Sequence, residues 1–162
     1  MGRVNIRHHI SNITTPNDDD CWAAATAMVM KRHSSAGTDH VKNLARAANI
    51  PLDQGTLPDE SVPLLARVVR FAVHDFQTEE VTLAKMTELL GRGPVVAFGF
   101  FNFPGDKPAF KHAVSVLGLE GDASDRGTII TLNDPSSDRN PFSDDWEHFA
   151  VHVADITFLY SY

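Results

Sequence analysis

One cysteine stands among 162 residues, Cys21, so no internal disulfide can form. It opens an alanine-rich run, Cys21-Trp22-Ala23-Ala24-Ala25-Thr26-Ala27-Met28-Val29-Met30, that reads as a helix. At a helix's first turn, unpaired N–H groups and the helix dipole favour a negative charge, and so a thiolate over a thiol. Far downstream come a histidine at the start of an apolar strand, His112, and an Asn133-Asp134 pair closing the next strand. A thiolate, an imidazole that shares its proton and a polar group that orients the ring are the parts of nucleophilic catalysis on an acyl group. Asn133 and Asp134 follow His112 by 21 and 22 residues, a hairpin's length, so either can return to the imidazole.

The elements that must position these groups divide near residue 92, with helical patterns before it and mostly strand patterns after. The spacing predicts helices over about Asp20 to Arg32, Asp39 to Asn49, a segment following Pro58-Asp59-Glu60, and Thr82 to Leu90. In the first, Trp22, Ala25, Met28 and Val29 form one apolar stripe, and Asp18, Asp19 and Asp20 offer N-caps. Strands are expected over Pro94 to Phe101, His112 to Leu119 and Thr128 to Leu132, the last two as a hairpin, with a final strand over Asp155 to Tyr160. A turn region is expected over Asn102 to Pro108, and Ser143 is placed as the cap of a short helix through Trp146 and Phe149. The expectation is one domain, a helical part of about 15–91 carrying Cys21 and a sheet part of about 92–162 carrying His112.

Composition narrows the function classes. Hydrophobic residues make up 43%, enough for a packed core, and the formal net charge of -7 argues against a nucleic-acid binder. The first ten residues hold no apolar stretch of secretory-signal length, and no run of eighteen apolar residues offers a membrane span. Gly2 does not meet the myristoylation pattern, because residue 6 is Ile. The expected location is the cytoplasm of the producing cell, with any export by a route that needs no signal peptide. His148 and His152 share the i, i+4 spacing of zinc-binding helices, but the glutamate of that motif and a third ligand are missing. No phosphate loop is present, since Gly91-Arg92-Gly93-Pro94 lacks the Lys-Ser/Thr pair. No metal and no cofactor is expected.

Four segments, Cys21-Trp22-Ala23-Ala24, the Gly91–Val96 run Gly-Arg-Gly-Pro-Val-Val, the strand Lys111–Gly118 and Thr131-Leu132-Asn133-Asp134-Pro135, occur together in that order. In them the chain resembles the papain-like cysteine proteases, above all the C39-like bacterial peptidases and the AvrRpt2-type effector proteases, along about residues 15–160. The resemblance implies an α+β papain-like fold with a cleft between helical and sheet parts. It implies Cys21 as nucleophile, His112 as general base and Asp134 as the group that orients the ring, with Asn133 the alternative third member. Neighbouring strand residues face opposite ways, so only one of the pair faces His112.

Two features depart from the pattern. The family places a Gln six residues before the cysteine to donate to the oxyanion, and here that position is Thr15. Thr15 and Asn17 are therefore the candidate side-chain donors, beside the Cys21 N–H. The three aspartates before Cys21 also oppose a thiolate, unless they point to solvent. The expected reaction is cleavage of an amide bond in a protein or peptide through an acyl-enzyme on Cys21, in the setting of a bacterial effector or toxin with a cognate inhibitor or immunity partner. A peptidoglycan amidase or an acyltransferase would use the same thiol chemistry. A non-catalytic papain-like binding module is the rival of another class, and Thr15 in place of Gln is its support.

Overall fold

The computed structural model describes residues 2–15, 17–32, 35–75, 81–101, 110–137 and 140–162. The turn region expected over Asn102 to Pro108 lies outside them.

Nine residues, Cys21–Val29, form the first helix, α1, and all nine are buried. A helix that is apolar all round belongs in an interior. The expected one-sided stripe is thus replaced by full enclosure: α1 lies between the sheet and α2 (Ser35–Ala47). Thr26, the one hydroxyl of the helix, is satisfied inside it by donating to the Trp22 carbonyl at 2.7 Å. A 3₁₀ turn at Asp59–Ser61 leads into α3 (Val62–Val69), whose first turn accommodates Pro63 because those N–H groups need no intrahelical partner. Thr82 caps α4 (Leu83–Leu90) by accepting from the Lys85 N–H at 3.2 Å.

Seven strands form one antiparallel sheet among the described residues: β1 (Val4–Arg7), β2 (Ala72–Asp75), β3 (Val95–Phe101), β4 (Phe110–Gly121), β5 (Thr128–Asn133), β6 (Phe142–Asp145) and β7 (Val153–Tyr160). The order is β2-β7-β3-β4-β5-β6, with β1 paired to the far end of β4. The expected hairpin is β4–β5, paired from Ser115↔Asn133 to Gly121↔Thr128. Ser143 lies within β6 rather than capping a helix, and Asp145 stands before α5 (Trp146–Val151).

The sheet also draws on the chain before residue 92. β1 and β2 are four-residue strands, too short to show a clear alternation, and they form only because β4 and β7 present edges to them. At Gly118 an added Cβ would stand 2.2 Å from the Ile6 carbonyl oxygen, so glycine is what lets β1 approach β4.

Alternation along the strands splits the core in two. Val96, Phe98 and Ala113 face α1, α2 and α3, while Val95, Ala97, Val114 and Val116 face α4 and α5 with Trp146 and Phe149. The sheet is the middle of three layers, and one helix face and one strand end meet at the cysteine.

Candidate active site

α1 begins with Cys21 itself, preceded by a 3₁₀ turn at Asp18–Asp20. The backbone N–H groups of the first helical turn therefore lie at the cysteine. β4 carries His112 opposite Gly99 of β3, and Ser115 of the same strand donates to the Ala25 carbonyl of α1 at 3.0 Å. That hydrogen bond is buried and fixes the helix against the strand that holds the imidazole.

The β4–β5 register pairs Ser115 with Asn133, so Asp134 sits one step past the last pair, on the side of His112. The His112 Nε2 lies 2.6 Å from Asp134 Oδ1. The ring also hydrogen-bonds with the Cys21 thiol. With Nε2 taken by the carboxylate, Nδ1 is the nitrogen left for sulfur. Phe101 packs edge-on to the imidazole at 6.2 Å between centroids. Asn133 points the other way. It is fully buried, and its Nδ2 donates to the Ile10 carbonyl at 3.2 Å and approaches the Met28 sulfur at 3.8 Å.

Burial alone would push the His112 pKa down. The hydrogen bond to Asp134, then the hydrogen bond and charge of Cys21, outweigh burial and raise it from 6.5 to about 10. Burial would raise the Asp134 carboxyl, but the hydrogen bond and charge of His112, with the Ser136 N–H, hold it below its usual value. The two groups thus favour an imidazolium against a carboxylate at neutral pH.

Cys21 retains 8% of its surface, and that fraction opens into a groove of about 260 Å³. Trp22, Leu57, Val62 and Phe98 give the groove an apolar floor, and His112 shares its lining. Space of this size holds one or two side chains rather than a whole ligand. Asp59, in the 3₁₀ turn before α3, and Lys111, on β4, both line it and pair at 2.6 Å. Another wall is a tight turn at residues 53–56, with Gln54 and Gly55 both at positive φ. The Trp22 indole anchors that turn by donating to the Gly55 carbonyl at 3.0 Å.

Asp19 and Asp20 face elsewhere. They line a separate depression with Asn17, and Asp20 pairs with Lys42 of α2 at 3.0 Å. The Asp20 charge, which would oppose a thiolate, is offset by this ammonium. Asn17 Oδ1 accepts from the Asp19 N–H at 3.1 Å, which spends its side-chain acceptor on the local turn. Thr15 is buried, its Oγ1 has no hydrogen-bond partner among the described residues, and its N–H donates to the Pro135 carbonyl at 2.8 Å. The segment leading to Cys21 is thus tied to the turn that carries Asp134.

His148 and His152 stack at 4.3 Å between centroids on α5 and its C-terminal end, with His148 Nδ1 2.6 Å from Asp144. Among the described residues no three potential ligands gather for a metal. Sequence reasoning gave no site role to Asp59, Lys111 or the 53–56 turn, because only the fold brings them to the groove.

Residues 3–147 match the model of one family, described as papain-like cysteine protease AvrRpt2. The chain belongs to this family. It is a papain-like cysteine protease, a hydrolase whose substrates are proteins or peptides. Solved structures agree on the fold. The peptidase domain of Streptococcus ComA, a bifunctional ABC transporter of a quorum-sensing pathway, superposes with a TM-score of 0.65 at 15% identity, over 95% of this chain and 100% of that one. A C39-like peptidase from Bacillus anthracis, so described provisionally, gives 0.58 at 11% identity, over 100% of this chain and 98% of that one. Among curated proteins, none matches the sequence significantly. No helix among the described residues is long and apolar enough to cross a membrane.

Proposed function

We propose that Cys21 is the nucleophile of this protease, His112 its general base and acid, and Asp134 the group that holds the ring. The observation that carries this reading is the single imidazole bonded on one side to Asp134 and on the other to the Cys21 thiol. The thiolate attacks the scissile carbonyl carbon, and the oxyanion that forms takes the Cys21 N–H at the head of α1 as a donor. His112 gives its proton to the leaving amine as the C–N bond breaks, leaving an acyl-thioester on Cys21. Water then enters, losing its proton to His112 as it attacks the thioester, and the C–S bond breaks to release the acid and restore the Cys21 thiolate beside the imidazolium. Asp134 stays ionised throughout and steadies the imidazolium.

Thr15 supplies the second oxyanion donor in this reading. Its position six residues before Cys21 supports it over Asn17, which lines the neighbouring depression, and its hydroxyl has no partner among the described residues. The family description supports a bacterial effector as the setting, with an inhibitor protein as its natural counterpart in the producing cell. The test is incubation of the wild-type chain and of Cys21→Ala with a peptide library and with purified peptidoglycan. Cleavage of peptides by the wild type alone supports the proposal. Release of peptide stems from peptidoglycan, with no cleavage in the library, favours the amidase reading instead.

A further inference from the structure

Asp134 can orient His112 only if its own backbone is held. Its carboxylate Oδ1 already accepts from two groups, the His112 ring at 2.6 Å and the Ser136 N–H at 2.8 Å. The backbone on either side is gripped by one side chain. Asn140 accepts from the Asp134 N–H through Oδ1 at 2.7 Å and donates from Nδ2 to the Asp134 carbonyl at 2.8 Å. The same Nδ2 also reaches the Ser137 carbonyl, the far end of the turn that Ser137 closes onto Asp134.

A primary amide is planar and rigid, so both bonds fix one orientation of the Asp134 peptide units. Side chains that bond this way to a nearby backbone take over the work of a strand neighbour where the ladder has ended. That is the situation of Asp134, just past the last β4–β5 pair. We infer that Asn140 is a positioning residue of the active site, acting through Asp134 to set the direction in which the carboxylate meets the imidazole. The inference rests on the assignment of Asp134 to the ring proposed above. Nothing in the spacing of the sequence marks Asn140; only the fold brings it to the strand end.

The test uses the whole chain and iodoacetamide as the probe. The rate of Cys21 alkylation is followed against pH for the wild type, Asn140→Ala, Asp134→Ala and the double variant, with circular dichroism to confirm folding. Asn140→Ala is expected to slow alkylation at neutral pH about tenfold, the effect of one net hydrogen bond. Its high-pH limb, which reports loss of the His112 proton, should move toward acid. In the Asp134→Ala background the same substitution should change the rate by no more than about twofold, because residues acting through one another do not add. A purely structural role would not move the limb. A wild-type profile for Asn140→Ala, or an undiminished effect on top of Asp134→Ala, overturns the inference. Asn140→Ser carries the same comparison if the alanine variant does not fold. If Asp134→Ala itself keeps the wild-type profile, the assignment of Asp134 fails and the role of Asn140 fails with it. If Asp134→Ala is impaired and Asn140→Ala is not, only the role of Asn140 is lost.

Discussion

His112 Nε2, on β4, and Asp134 Oδ1, one residue past the end of β5, stand 2.6 Å apart. The distance is that of a charge-assisted hydrogen bond, short and strong where both groups are ionised. It leaves the opposite ring nitrogen to the cysteine and makes the strand end, with the turn that follows it, the part that sets the ring's direction.

The first consequence is a shifted titration. His112 is raised to about 10 from 6.5, so its ion pair contributes stability in full below about 6.5 and loses it as pH rises through about 10. Asp134 is lowered, so its share is present above its usual 3.8 and is lost as pH falls through the lower folded value. Denaturant titrations should therefore show stability falling on both sides of a mildly acidic plateau, between about 3.8 and about 6.5. In nitrogen-edited NMR the ring should stay doubly protonated through pH 8. A midpoint near the ordinary histidine value would contradict this.

Asn133 and Asp134 are adjacent but should behave differently. Asp134→Asn keeps the shape and removes the charge, and peptide hydrolysis should fall by about two orders of magnitude or more, along with the stability the ion pair contributes. Asn133→Ala empties a buried site and removes donors to Ile10 and Met28, so stability should fall by about 1–3 kcal/mol. The folded fraction of that variant should retain its thiol reactivity. Thermal melts and alkylation rates on both variants separate the two effects. The reverse pattern would place the orienting group at Asn133.

Thr15→Val tests the oxyanion donor, since it removes a hydroxyl while keeping the shape. If that hydroxyl donates, turnover should fall by about 2.7–4 kcal/mol of transition-state stabilisation, the measured cost of one such donor elsewhere. Alkylation by iodoacetamide forms no oxyanion and should not change. Unaltered turnover would leave the Cys21 N–H without a side-chain partner at position 15.

Much of this site was legible before the fold. Cys21 announced itself as the lone thiol at the head of an alanine-rich run, and His112 as a polar residue opening an apolar strand. Strand alternation said that only one of Asn133 and Asp134 faces His112, the family resemblance favoured Asp134, and in the fold the two turn to opposite sides. What escaped the sequence depends on contacts between distant segments. β1 and β2 are too short to carry a pattern and exist because β4 and β7 offer edges. The single apolar stripe read on α1 became complete burial, because alanines on its other faces let α2 and the sheet approach together. Lys42 neutralises Asp20 from 22 residues away, which no local reading of three aspartates reveals.

The claim on which the rest stands is that the Cys21 sulfur and the His112 imidazole act as one unit at the head of α1. The most direct measurement is the rate of Cys21 alkylation by iodoacetamide at pH 7 in the wild type and in His112→Ala. A rate well above that of free cysteine, falling to or below it in the variant, is the expected result. A wild-type rate no faster than free cysteine, or one indifferent to the loss of His112, would contradict the account.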